Sequence, residues 1–234
     1  MKTVITCLGK FGRLSYTFDP KGRAESSEFE MKNELPRISA ILLAAGASKR
    51  FGGPKLLLPL GNSTILERSV DNLLGSKVSE VIVVIGYRAH EVGRVIADKP
   101  VKIVVNRFYR QGMSTSLRVG LGMVSKHATA IMIALADLPF IPTAAVDTLI
   151  EAFRHNNKGI IVPLHDNRRG HPVIFSIKYQ GELSQLTGDM GGREIIGRHS
   201  DDMLEVAVDS ESIYRDIDTM MDYKSYMKSN VVKT

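Results

Sequence analysis

ISAILLAAGASKRFGGPKLLLPL, residues 38–60, is the stretch whose reading decides the fold. It opens with branched and small apolar residues over 38–44, the pattern of a strand buried on both faces. It then breaks into a loop with Gly46, Gly52 and Gly53, and with Lys49, Arg50 and Lys55 among and after them. Pro54 stands just before Lys55. Glycine lets backbone N–H groups approach anionic oxygens, and the cations neutralise them. A strand that empties into such a loop suggests a phosphate cradle. The plainer alternative is a basic surface turn after an edge strand.

Two familiar phosphate loops are excluded by spacing. A Walker loop needs G-x-x-x-x-G-K-[ST], but the residue five after Gly46 is Phe51, and Lys55 is followed by Leu56. A dinucleotide fingerprint needs G-x-G-x-x-G, but Gly46 is followed by Ala47 and Ser48.

Outward from this loop, strand-like and helix-like stretches alternate. Thr64 and Glu67 have capping-box spacing ahead of Leu66, Val70, Leu73 and Leu74, which predicts a helix to about Gly75. Residues 81–85 read as a second buried strand ended by Gly86, 91–97 as a short helix, and 101–105 as a third strand. A loop to Gly112 precedes a helix to about Val124, with Ser114 or Thr115 as its cap. Residues 130–136, AIMIALA, form the next strand and deliver Asp137 at its carboxyl end, before a helix over 143–153. A fifth strand over 159–164, a further apolar strand ending near Phe175, a remnant over 206–208 and a helix over 220–227 complete the pattern. This alternation predicts an α/β fold, a mostly parallel sheet with helices on both faces. In such sheets ligands bind beyond the carboxyl ends of the strands, so Asp137 and the Gly46 loop are expected in one crevice.

Composition narrows the function classes. The chain has 234 residues, 44% of them hydrophobic and 24% charged, enough for one sizeable core. Its net charge of +6 suits anionic partners, but the basic residues are dispersed and there is no Trp. Without an aromatic RNA-binding motif or zinc-finger spacing, nucleic acid is not expected as a partner. Cys7 is the only cysteine, so no intramolecular disulfide or cysteine-rich zinc site can form. Apolar runs such as 81–85 fall far short of the roughly 20 residues of a membrane span. No membrane association and a cytoplasmic location are the expectations. Residues 1–37 read as an N-terminal extension, with a short strand over 1–7 and a polar linker or poorly ordered arm over 18–34; residues 38–229 read as one domain.

The pattern L-A-A-G-x-S-x-R-F-G-x-x-K-L-L resembles the opening signature of nucleotidyltransferases that join a nucleoside monophosphate to a phosphorylated acceptor. Within that group the chain resembles the molybdenum cofactor cytidylyltransferases, whose guanylyl relatives read Leu-Ala-Gly-Gly where this chain has Leu43, Ala44, Ala45 and Gly46. The resemblance implies a Rossmann-like three-layer sandwich of the nucleotide-diphospho-sugar transferase type. It implies transfer of CMP from CTP to the terminal phosphate of molybdopterin, the molybdenum cofactor, with Mg²⁺ and release of pyrophosphate. CTP or another NTP and molybdopterin are then its partners, and a molybdenum hydroxylase is a further candidate.

By the same resemblance Arg50, Lys55 and Asp137 are catalytic. Ala45, Gly46, Ala47, Arg50, Lys55, Gly86, Ser114 and Ser116 would hold the nucleotide, the serines through the match of residues 112–117, GMSTSL, to a second nucleotide element. Ala136-Asp137-Leu138-Pro139 resembles a metal-binding aspartate motif; otherwise Asp137 would cap the helix after Pro142. Arg169-Gly170-His171-Pro172 and residues 188–193, GDMGGR, resemble elements beside the acceptor, which makes Arg169, His171, Asp189 and Arg193 acceptor-binding candidates. His171 reads equally as a hydrogen-bonded histidine at a strand start, and Arg193 as a partner of Asp189. The family commonly ends Asp-Ile-Asp-Thr-Pro-Glu-Asp; here Met220 and Met221 replace the Pro-Glu, and Asp218 is a second candidate metal ligand.

The chemistry is coherent with this set. A phosphate monoester nucleophile is already largely ionised at neutral pH, its second pKa being about 6, so no general base is required. Positioning and charge stabilisation carry the reaction. A sugar or polyol phosphate acceptor, and a non-catalytic factor that binds or inserts the molybdenum cofactor, are the alternatives.

Overall fold

A computed structural model describes residues 3–9, 12–18, 35–48, 50–189 and 191–231. Residues 19–34 of the expected arm and Lys49 of the loop lie outside them. The chain divides into two compact units, Met1–Pro36 and Arg37–Thr234. In the first, β1 (Thr3–Gly9) pairs antiparallel with β2 (Gly12–Phe18), so the short strand expected there is half of a hairpin.

The second unit begins with β3 (Ile38–Ala44), every residue buried except a half-buried Leu43. After the loop come the short pair β4 (Pro59–Leu60) and β5 (Ser63–Thr64), then α1 (Ile65–Leu74). The capping box is formed: Glu67 N–H donates to Thr64 Oγ1, and Thr64 N–H to the Glu67 carboxylate at 2.7 Å. β6 (Glu80–Ile85), α2 (Ala89–Arg94) and β7 (Lys102–Val105) follow. Then come α3 (Met113–Leu121), β8 (Ala130–Leu135) and α4 (Thr143–His155). β9 (Ile160–His165), β10 (Arg168–Arg169) and β11 (Val173–Ser176) form the antiparallel side of the sheet. α5 (Gln180–Gln185), α6 (Arg193–Arg198), β12 (Met203–Ala207) and α7 (Met220–Val231) end the chain.

The eight-stranded sheet runs β10-β9-β11-β8-β3-β6-β7, with β12 parallel to β9. Its centre, β8-β3-β6-β7, is parallel. Side chains of β3 alternate between two cores, as strand geometry requires. Ile38, Ala40 and Leu42 join Leu66 and Val70 of α1 and Val146 and Leu149 of α4. Ile41 joins Leu117 and Leu121 of α3, Leu183 of α5 and Ile195 of α6. Helices therefore cover both faces, the three-layer α/β arrangement read from the alternation.

This order places the site. β3 has β6 on one side and β8 on the other, so the chain reverses its direction of travel across the sheet between β3 and β8. A switch point of this kind leaves a crevice beyond the strand ends. Among the described residues, no helix is long and apolar enough to cross a membrane.

Candidate active site

β3 and β8 are in register at Leu43 and Leu135, so the turn after β3 and the residues after β8 emerge side by side. Ala136 N–H donates to Leu43 C=O at 3.1 Å and fixes this exit. Ile217 N–H donates to Asp137 C=O at 3.0 Å and brings the C-terminal Asp216–Asp218 segment over the same spot. A cleft of about 490 Å³ opens there, lined on one side by Ala45, Gly46, Ala47 and Arg50, on the other by Met113, Ser116 and Asp189.

Lys55 is the buried cation of this cleft. Its Nζ donates to Asp137 Oδ2 at 2.9 Å and to Asp218 Oδ1 at 3.0 Å. Its side chain is 9% exposed, against 27% for Asp137 and 22% for Asp218. Burial works first against the ammonium, but the Asp137 charge and hydrogen bonds to both carboxylates outweigh it and hold the Lys55 pKa above the usual lysine value. Arg50 Nη1 reaches Asp218 Oδ2 at 2.6 Å, yet its side chain is 79% exposed. Asp137 thus serves Lys55, and α4 starts behind Pro142 without a side-chain cap.

Asp216 completes an acidic group that sequence reasoning missed. One ligand atom from each of Asp137, Asp216 and Asp218 lies within 4.8 Å of the others. Burial, then the charges of Asp218 and Asp137, push the Asp216 carboxyl above its usual range. The group therefore carries negative charge that Lys55 and Arg50 do not fully neutralise. Three clustered carboxylates are oxygen donors that suit a hard divalent cation. The signal in the sequence was Asp-x-Asp: residues two apart on extended chain face the same side. The start of α7 steadies it, because Asp222 Oδ2 accepts from Asp218 N–H and Thr219 N–H. Met220 and Met221 are exposed and leave that cap intact.

The second predicted element differs from expectation. Neither Ser114 nor Thr115 caps α3; Gly112 precedes it, and the Asp189 carboxylate, on the same side of the cleft, accepts from Met113 N–H at 2.8 Å. Gly188 C=O accepts the next donor, Ser114 N–H. Gly112 has φ 108°, and a Cβ there would lie 2.8 Å from Gly188 O, so only glycine lets this loop close. Ser116 lines the cleft, whereas Ser114 is buried behind it. Gly86 also stands behind the wall: a Cβ on it would meet Tyr109 Cβ at 2.8 Å and Ala45 Cβ at 2.9 Å. Tyr109 and Arg110, which the sequence reading did not single out, line the cleft itself.

The acceptor candidates separate. Asp189 is in the main cleft, while Arg169, His171 and Arg193 line a second cavity of about 250 Å³ floored by Ile133, Val173 and Phe175. Arg169 Nε donates to Glu205 at 2.6 Å. Arg193 forms no ion pair with Asp189 or any other described residue. His171 N–H donates to Ile213 C=O, and its Nδ1 sits 3.5 Å from Ile133 O. Burial pushes its imidazole below the usual pKa, offset in part by the Ile133 carbonyl and the Asp137 charge.

Residues 40–203 match the MobA-like NTP transferase domain. The chain is 31% identical over 193 residues to molybdenum cofactor cytidylyltransferase of Escherichia coli (strain K12), covering 81% of this chain and 95% of that protein. It is 30% identical over 194 residues to nicotine blue oxidoreductase of Paenarthrobacter nicotinovorans, covering 80% and 95%. The crystal structure of Rv0371c from Mycobacterium tuberculosis H37Rv superposes with TM-score 0.76 and 31% identity, over 83% of this chain and 99% of that one. Its complex with manganese superposes with TM-score 0.72 and 30% identity, over 82% and 99%. The domain match and the identity to these relatives lead to one conclusion: the chain belongs to the family of the MobA-like NTP transferase domain, as a nucleotidyltransferase.

Proposed function

We propose that this protein transfers CMP from CTP to the terminal phosphate of molybdopterin and releases pyrophosphate. The observation that carries the reading is Lys55, a buried ammonium held between two carboxylates at the mouth of a glycine–alanine turn. The cytidylyltransferase relative supports the choice of CTP and of the acceptor. The oxidoreductase name of another relative means that kinship alone does not select the reaction. The make-up of the cleft supports the transferase reading, because its cations, carboxylates and glycine–alanine turn suit a triphosphate.

Each residue has a task in this reading. Backbone groups of Ala45, Gly46 and Ala47 lie along the nucleotide. Lys55 neutralises the phosphates and the developing pyrophosphate. Arg50 joins it: its exposed pair with Asp218 is weak, and the guanidinium can exchange a carboxylate for a phosphate. Asp137, Asp216 and Asp218 would hold a divalent cation, and the donor set suits Mg²⁺; when bound, the metal would add charge neutralisation to the triphosphate. The manganese complex of Rv0371c supports a metal role for this fold. The acceptor enters from the side of Asp189 and the second cavity, where Arg169 and Arg193 supply positive charge over an apolar floor.

The test is a panel of CTP, GTP, ATP and UTP, each with molybdopterin, with a sugar phosphate or with no acceptor. Pyrophosphate release is expected with CTP and molybdopterin together. Release with the sugar phosphate instead would move the acceptor assignment, and release with none of the combinations would contradict the enzyme reading.

A further inference from the structure

Asn106 follows β7 and is 1% exposed. Its backbone N–H donates to Ile85 C=O at 2.7 Å, which fixes the chain where β6 and β7 end. Its side chain joins three groups. Oδ1 accepts from Phe108 N–H at 2.9 Å. Nδ2 donates to Thr115 Oγ1 at 2.8 Å and to Ser116 Oγ at 2.9 Å. A backbone N–H can only donate, so Phe108 dictates which end of the amide is oxygen. The opposite end is therefore NH₂, and its two protons go to two hydroxyl oxygens.

This fixes the polarity of both hydroxyls. Thr115 Oγ1 accepts from Asn106 and spends its own proton on Gly112 C=O at 2.9 Å or Phe108 C=O at 3.1 Å. Ser116 Oγ also accepts from Asn106, but its proton has no acceptor among the described residues. Ser116 lines the cleft. Its proton is available to a ligand there.

We infer that Asn106 is a positioning residue that sets Ser116 as a hydrogen-bond donor into the cleft, where it selects an acceptor oxygen of the bound nucleoside. The inference rests on the nucleotide reading of the cleft. The acceptor is a carbonyl of the base or a hydroxyl oxygen of the ribose; both offer the lone pair this donor needs.

Polarity can be inverted almost without changing shape. In N106D one carboxylate oxygen still accepts from Phe108 N–H, but the other cannot donate. The Ser116 proton turns toward that carboxylate, and Ser116 then faces the ligand with a lone pair. The experiment measures CTP affinity by calorimetry for wild type, N106D, S116A and the double variant, and repeats wild type and S116A with 2-thio-CTP and 2′-deoxy-CTP. S116A is expected to weaken CTP about tenfold, the scale of one lost hydrogen bond. N106D is expected to weaken CTP at least as much, and adding S116A to it should cause no further loss, because both act through one proton. One analogue should bind wild type more weakly than CTP does but show no such penalty in S116A, which identifies the acceptor atom. Additive losses would show that Asn106 serves only to hold the loop, and overturn the inference. If N106D fails to fold, S116A decides alone: unchanged CTP affinity overturns the inference and leaves the nucleotide reading intact. Absence of CTP binding by wild type contradicts the nucleotide reading itself.

Discussion

Lys55 Nζ and Asp137 Oδ2 lie 2.9 Å apart although 82 residues of chain separate them. The contact joins the loop after β3 to the end of β8, and Asp218 closes it from the C-terminus. Removing Lys55 from so sheltered a group leaves Asp137 without its hydrogen-bonded cation.

The acidic group makes metal dependence testable residue by residue. Chelation of divalent ions should abolish turnover, and Mg²⁺ should restore it. Asp137→Asn and Asp218→Asn should each raise the Mg²⁺ concentration for half-maximal rate by about tenfold or more. Asp216→Asn, at the more exposed position, should raise it less. A metal titration of the rate checks all three, and full activity in the presence of chelator would exclude the metal role.

Asp189 is predicted to matter for stability as well as for the acceptor side. Its carboxylate caps α3, and losing an N-cap costs about 1 kcal/mol. For a domain of this size that is a Tm lower by about 2–4 °C. Asp189→Asn, which keeps an accepting oxygen, should recover most of it. Equal losses in Asp189→Ala and Asp189→Asn, measured by thermal melts, would argue against the cap.

Sequence reading reached the parts of this site that depend on strand ends. The turn after β3 and Asp137 were legible because a buried strand announces where it stops, and parallel neighbours stop together. What stayed hidden depends on packing between distant segments. The Asp189–Met113 contact spans 76 residues and leaves no periodic trace; it displaced Ser114 and Thr115 from the capping role their composition suggested. Gly86, a nucleotide candidate by resemblance, stands behind the wall, packed against Tyr109 and Ala45. Asn106 carries no motif, and only the structure shows its hydrogen bonds to Phe108, Thr115 and Ser116.

Gly86→Ala tests that wall. The added Cβ would lie under 3 Å from Tyr109 Cβ and Ala45 Cβ. Overpacking of this kind costs about 1–3 kcal/mol. The variant should melt lower and bind CTP more weakly, since Ala45 and Tyr109 both line the cleft. Unchanged melting and affinity would mean that the wall yields freely.

Acid stability should show the signature of Asp202. Burial acts against its carboxylate, but hydrogen bonds from Lys178, Tyr179 and Gly159 N–H prevail and lower its pKa to about 2. The folded value lies below the ordinary 3.8, so the stabilisation is full above pH 3.8 and fades as pH falls toward 2. Asp202→Asn should therefore melt lower than wild type at pH 5 to 7, with the gap closing near pH 2. A gap independent of pH would reject this assignment.

The most direct measurement of the central claim uses CTP labelled at the α-phosphate, with molybdopterin as acceptor, and compares wild type with Lys55→Ala in one assay. The account predicts label on the pterin with wild type, and a rate on the order of a hundredfold lower or less in the variant. Label transfer at equal rates in both proteins would contradict it.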